Sequence, residues 1–224
     1  MLLALLLAAS VSQPVQASGT EWLVQVKPGV RRNFHDGSAR GCPALTAKCR
    51  RAAYVVPGDQ LIAASRLGAF TNVTFVSRAG KVSSGWIETA GLTRIAAPPP
   101  TARAWVGRWR AWENDIEVKP IGAGRYRIEG TALWGTEDPW RVENGGVHVG
   151  EFSAAVSLSG DRLAFATTWS RDDPVDHPAL AYGAANESAC RIRLRLLGTY
   201  LIAQDNHQCG GANVTFTGIY RRTS

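Results

Sequence analysis

The run CRIRLRLLGTYLIAQDNHQCGGANVTFTGIYRR, residues 190–222, decides how the whole chain is read. Arg191-Ile192-Arg193-Leu194-Arg195-Leu196 alternates without a fault, so one face of a strand is apolar and the other carries three arginines. Val214-Thr215-Phe216-Thr217 alternates in the same way, and Leu197-Gly198-Thr199 between strands is a hairpin connection. The segment reads as the end of a β-barrel that begins in the tryptophan-rich run from Trp105 to Trp112.

Working back from it, nearly everything after Trp105 is strand-like. Expected strands are Trp105–Trp112, Asp115–Pro120, Tyr126–Trp134, Arg141–Val149, Ala154–Leu158, Leu163–Trp169, Cys190–Leu197, Tyr200–Gln204 and Asn213–Arg221. Short glycine connections such as Gly122-Ala123-Gly124 and Ser159-Gly160-Asp161 join them. A meander of this length removes its exposed edges only by closing, which predicts an up-and-down antiparallel barrel. The longest break, Arg171 to Ser188, is rich in Asp, Pro and Ala and predicts a loop across one barrel mouth, with a helical turn over Pro178–Ala185.

Upstream, Pro98-Pro99-Pro100 lies in a stretch, 96–104, that suits neither a helix interior nor a central strand, because proline lacks an amide donor. It predicts a semi-rigid spacer holding two domains apart, 18–95 and 105–224. The first of these shows short β-like runs at Trp22–Val26, Tyr54–Val56, Gln60–Ala64, Phe70–Val76 and Gly85–Glu88, a pattern suited to a compact barrel. Residues 1–17, MLLALLLAASVSQPVQA, form an apolar run ending in small residues, as in a secretory leader cleaved after Ala17. In an exported chain, four cysteines make two disulfides, and the spacing favours Cys42 with Cys49 and Cys190 with Cys209. A formal net charge of +7 favours anionic partners without selecting among them.

Three resemblances sharpen these expectations. Val56-Pro57-Gly58-Asp59, Gly68-Ala69-Phe70, Val73-Thr74-Phe75, Gly85-Trp86-Ile87 and Gly91-Leu92 follow one another as in bacterial SH3-like domains. An insertion with Cys42 and Cys49 replaces that family's short upstream segment. The resemblance implies a small SH3-like barrel that contacts peptidoglycan or a wall protein through Phe70, Phe75 and Trp86. Gly107-Arg108-Trp109 near the start of the second unit and Arg221-Arg222 at its end resemble the calycin, or lipocalin-like, pattern. There an arginine of the last strand covers a tryptophan of the first, which implies that Arg222 and Trp109 close the barrel. The ending from Asp205-Asn206 through Cys209-Gly210-Gly211 to Arg222 resembles that of exported proteobacterial proteins, some related to lysozyme inhibitors.

The candidate sites divide. His35, His148, His177 and His207 are scattered, no nucleophile, phosphate-loop or zinc-protease motif occurs, and no catalytic residue, cofactor or metal is expected. Asp172, Asp173, Asp176 and His177 form a cluster that serves either as a solvated acidic loop or as a metal site. Trp105, Trp109 and Trp134 are expected in the core, whereas Trp112 and Trp140 have polar neighbours and suit surface recognition. Arg191, Arg193 and Arg195 either face Glu117, Glu129 or Glu143 of neighbouring strands, or form a stripe for an acidic partner. The expectation is an all-β, non-enzymatic, periplasmic or secreted binding protein of the cell envelope. Its SH3-like half meets peptidoglycan or an envelope protein, a lysozyme-type enzyme among the possibilities, and its barrel is a recognition or inhibitor-like module. The alternative is a carrier with a small apolar ligand in the barrel bore. Nucleic acid is not an expected partner.

Overall fold

The computed structural model describes residues 19–170, 172, 175–184 and 186–223. The leader 1–17 and Asp173 lie outside the described residues. The fold is all-β, with one antiparallel sheet on each side of the proline segment.

The first sheet contains β1 (Trp22–Val26), β2 (Arg32–His35), β3 (Arg50–Val55), β4 (Gln60–Leu67), β5 (Phe70–Val76), β6 (Val82–Glu88) and β7 (Leu92–Arg94), in the order β3-β2-β6-β5-β4-β1-β7. Its core is Val24, Phe34, Val55, Leu61, Val73 and Ile87, the inward members of alternating strands. Strand β2 escaped the sequence reading for a physical reason. Arg32-Asn33-Phe34-His35 offers one large apolar residue, and its pairing with β3 is broken by an irregularity between Asn33 and His35. The insertion between β2 and β3 is tied by the Cys42–Cys49 disulfide.

The second sheet contains β8 (Gly107–Ala111), β9 (Asn114–Gly122), β10 (Arg125–Trp134), β11 (His148–Ser157), β12 (Arg162–Thr167), β13 (Leu180–Ala181), β14 (Cys190–Leu197), β15 (Tyr200–Asp205) and β16 (Gly218–Thr223). Its order, β11-β10-β9-β8-β16-β15-β14-β12-β13, places the last long strand beside the first, with Arg222 opposite Trp109. The two ends of the curled sheet are stitched together as well. Ser153 N–H donates to Trp169 O (3.0 Å), Ala155 N–H to His177 O (2.8 Å), and Ala179 N–H to Ala155 O (3.0 Å). The result is barrel-like, and its inside is filled. Phe152 meets Phe216 edge-on at 4.8 Å and Phe165 at 6.0 Å, and Ile116, Ile128, Ile192, Leu194 and Leu201 are buried around them. The Cys190–Cys209 disulfide ties the start of β14 to the connection between β15 and β16. Both disulfides therefore pair within a unit, as the spacing predicted.

Four local expectations are corrected. Arg141, Val142 and Glu143 belong to a short helix, α2 (Pro139–Glu143), because Asp138 caps the Trp140 amide at 3.0 Å and proline suits the first helical turn. Strand β11 then starts only at His148. In place of a helical turn over Pro178–Ala185, Leu180–Ala181 pairs with Phe165–Ala166 and Pro178 bridges Ala155, because the gap between β11 and β12 needs a filler for its backbone groups. Residues 213–217 are not a strand. Their polar groups bond instead to the Asp205 carboxylate, from Thr215 Oγ1 (2.6 Å), Thr217 Oγ1 (2.8 Å) and Phe216 N–H (3.2 Å). Trp105 ends a single-turn helix, α1 (Ala102–Trp105), and is not part of β8.

The proline segment does not hold the halves apart. Leu23, Ile62 and Val76 of the first sheet form one buried cluster with Leu197, Tyr200, Ile202 and Ile219 of the second. Polar contacts reinforce it: the Tyr200 hydroxyl donates to Gln60 O, Arg221 Nη1 to Val76 O at 3.0 Å, and Trp112 N–H to Gly80 O at 2.9 Å. Burial pushes the Tyr200 phenol up to about 12.

Candidate functional site

The net charge has an address. Residues 19–95 hold eleven Lys or Arg against four Asp or Glu, and residues 96–223 hold fourteen of each, so the whole surplus of +7 belongs to the first unit. Much of it gathers at one side of the first sheet, where β3 is the edge strand. Arg50 and Arg51 are exposed on β3, and Arg31, Arg40 and Lys48 are exposed on the connections that flank β2. The Arg31 guanidinium lies 4.6 Å from the ring centre of Tyr54, itself exposed on β3, which forms a cation–π pair at the surface.

The disulfide insertion gives this edge a fixed backbone. His35 Nδ1 donates to Ala44 O at 2.8 Å, Asp36 N–H to Cys49 O at 2.7 Å, and Lys48 Nζ to Arg40 O at 3.2 Å. Asp36, the carboxylate of this region, is already engaged. The Ser38 amide and then the Ser38 hydroxyl, both at 2.8 Å, hold it below the usual carboxylate range. Charges on an edge strand also prevent sheet-to-sheet pairing, but Arg31, Arg40 and Lys48 lie on the flanking connections, outside the edge strand itself. A larger cationic surplus on a braced edge is suited to carboxylates or phosphates of an extended ligand.

The three aromatics expected to contact a ligand do not share an open groove. Phe70 is only 7% exposed and packs edge-on against His35 at 5.3 Å. Phe75 turns toward the second unit, with the Arg221 guanidinium 5.8 Å from its ring centre. Trp86 is half-buried beneath the insertion, where a Cβ built on Gly37 would stand 2.0 Å from indole Nε1. The inserted loop therefore roofs the tryptophan, and the accessible chemistry of this side is the basic edge above it.

The arginines of β14 do three different things, and none of them faces Glu117, Glu129 or Glu143. Arg195 reaches across to the first unit, donating to Glu21 O at 3.0 Å and pairing with the Glu21 carboxylate at 3.6 Å and Asp161 at 3.4 Å. Arg191 donates to the carbonyls of Tyr182 (3.1 Å) and Asn186 (3.0 Å), bracing the 168–189 connection. Arg193 stays exposed with its guanidinium 4.4 Å from the Tyr182 ring centre. The glutamates take other partners: Lys119 pairs with Glu117 (3.0 Å) and Glu129 (3.4 Å). A groove of about 420 Å³ beside Arg193 is bordered by Arg162, Gln204 and Gly19. A second depression, about 700 Å³, lies between the units beside Trp22, Arg94 and Pro98 to Pro100.

At the closing strands, the Arg222 guanidinium sits 4.7 Å from the Trp109 ring centre and donates to Ala104 O. Trp109 Nε1 donates to Trp105 O (2.9 Å), and Trp105 Nε1 to Gly160 O (3.1 Å), so two indoles and one arginine pin this end of the sheet. In the acidic loop, Asp176 is paired with Arg127, and His177 stacks on Trp169 at 3.7 Å. Among the described residues no three His, Cys, Asp or Glu side chains are placed to hold a metal ion. No helix among the described residues is long and apolar enough to cross a membrane, and two disulfides are consistent with an extracellular or periplasmic protein.

No family model, curated protein or solved structure matches this chain. The charge segregation is the feature that motif reading missed, although counting signs on either side of the proline segment reveals it.

Proposed function

We propose that this is an exported, non-enzymatic binding protein of the cell envelope whose first unit holds an anionic wall component, peptidoglycan carboxylates in particular, along the basic edge of β3. The observation that carries the reading is the confinement of the entire +7 surplus to residues 19–95, with exposed Arg31, Arg40, Lys48, Arg50 and Arg51 on one braced edge. The second unit is the recognition module attached to it. Its filled interior, with Phe152 against both Phe165 and Phe216, argues against the small-ligand carrier, which needs an open bore.

Co-sedimentation with purified sacculi tests the proposal. The wild type is expected to pellet at low salt and to be released as salt rises, because exposed charges are screened. Lys48→Glu/Arg50→Glu, two exposed changes, is expected to stay in the supernatant while remaining folded. Pelleting that ignores both salt and charge reversal refutes the proposal.

A further inference from the structure

The barrel-like unit has two unlike ends. At one end the strands are joined by the tight connections 123–124, 158–161 and 198–199, beside α1, and at the other by the three long ones, 135–147, 168–189 and 206–217, beside the tight 112–113 turn. The long-connection end also gathers Trp112, Trp134, Trp140 and Trp169, half of the eight tryptophans in the chain. Three of them are open to solvent: Trp112 at 51%, Trp140 at 66% and Trp169 at 38%. Indoles are among the most valuable side chains to bury, so this exposure is not a product of folding.

Two of these rings are held out deliberately. Trp112 sits in the two-residue turn between β8 and β9 with φ of +53°, a left-handed conformation that a bulky residue adopts only at a cost and that Gly or Asn occupies freely. The strain is kept in place by Trp112 N–H on Gly80 O at 2.9 Å and by the hydrogen bond from Thr136 to Glu113, which joins this turn to the 135–147 connection. Trp140 projects from α2, a helix that buries none of its residues. Its backbone is fixed by the Asp138 cap, by the Arg141–Asp138 pair at 3.3 Å, and by Arg141 stacked 4.3 Å from the Trp134 ring centre. His148 backs Trp134 at 5.2 Å and is anchored by Nδ1 donating to Ala212 O at 2.5 Å.

We infer that this end binds a neutral glycan strand, with the Trp112 and Trp140 indoles as stacking faces for pyranose rings. The electronegative indole face attracts the polarised C–H groups on the flat side of a sugar. Glu137 and Glu143, exposed on the same connection as Trp140, accept hydroxyl hydrogens and repel polyanions, whereas Glu113 is engaged by Thr136 and Asp138 by the Trp140 amide and Arg141. A protein hot spot, by contrast, needs an aromatic anchor in an enclosing ring of neighbours, and α2 provides none. This surface is separate from the basic edge, and its test does not depend on the sacculus experiment.

The full chain is titrated calorimetrically with the β-1,4-linked tetramer of N-acetylglucosamine as the neutral probe and an oligogalacturonate as the acidic one. The neutral probe is expected to bind and the acidic one not. Trp140→Ala and Trp112→Asn are each expected to weaken binding at least about tenfold, while thermal melting stays cooperative and Lys48→Glu/Arg50→Glu binds as the wild type does. Trp112→Asn guards against misfolding as an explanation, since asparagine accepts the turn geometry. No heat with the neutral probe at its solubility limit, equal binding by both tryptophan variants, or tighter binding of the acidic probe overturns the inference. So does Trp140-dependent self-association in sedimentation without sugar binding, which would make this end a protein interface.

Discussion

Arg195 separates a stripe of arginines for a ligand from a latch between units, and Arg195→Ala decides between them. Its guanidinium is 3.6 Å from the Glu21 carboxylate, whose side chain is 1% exposed, and its own side chain is 18% exposed. At that separation the Coulomb energy is about 4–5 kcal/mol for an effective dielectric near 20. Desolvation offsets part of this, so the pair as a whole contributes little net stability. Removing one member is another matter. Arg195→Ala takes away the cation facing a buried carboxylate together with the 3.0 Å bond to Glu21 O, and is expected to cost about 3 kcal/mol. Glu21→Gln leaves Arg195 paired with the Asp161 carboxylate at 3.4 Å and should cost about 1 kcal/mol. In the double variant the two costs should add to less than their sum, with a coupling of about 1–3 kcal/mol. Urea unfolding measured by tryptophan fluorescence and by far-UV circular dichroism supplies the numbers, and both probes should report one transition. An Arg195→Ala cost below about 0.5 kcal/mol, with zero coupling to Glu21, refutes the latch.

Two further predictions rest on the interface and on the filled interior. The Tyr200 phenol is raised from 10.0 to about 12, so between those values the folded state keeps a proton that the unfolded state has lost, and stability must fall as pH rises through that window. Tyr200→Phe should flatten the decline between pH 10 and 12, and an unchanged slope in alkaline melting curves would show that this hydroxyl is not buried against Gln60. A Cβ on Gly130 would lie 2.1 Å from the Phe152 ring, so Gly130→Ala is expected to cost about 1–3 kcal/mol, or several degrees in Tm, with partial rescue by Phe152→Leu. An unaltered melting temperature would mean that space remains inside the sheet.

The sequence showed most clearly what alternation encodes. Ile192, Leu194 and Leu196 point inward, as their period requires, and the hairpin at Leu197–Thr199 is where its glycine predicts. It misled where a side chain, not a period, makes the decision. Asp138 turns the first three residues of the expected Arg141–Val149 strand into a helix, and Asp205 collects the donors of Thr215 to Thr217, leaving an alternating segment without a strand partner. The partners of Arg195 could not be found by looking along neighbouring strands, since Glu21 is 174 residues away and belongs to the other unit. Aromatic residues matched to a motif were likewise poor guides to exposure. Phe70 and Trp86 keep their places in the pattern, yet one is interior and the other lies under an insertion held by a disulfide.

Charge counts become informative only when joined to how each cation is used. In the second unit Arg191 and Arg222 spend themselves on carbonyls, Arg195 and Arg221 on the contact with the first, and Lys119 and Arg127 on neighbouring carboxylates. In the first unit the cations greatly outnumber the carboxylates, so pairing within the unit cannot neutralise them. Because the units share the buried cluster of Leu23, Ile62 and Val76 with Tyr200, Ile202 and Ile219, the basic edge and the aromatic end are mounted on one body, not tethered by a loose linker. Two sites on a single body act together only on a ligand long enough to span them, and on such a ligand the second contact forms at high effective concentration. A wall polymer that bears both carboxylates and neutral sugar rings along its length meets that requirement, whereas a small soluble molecule does not.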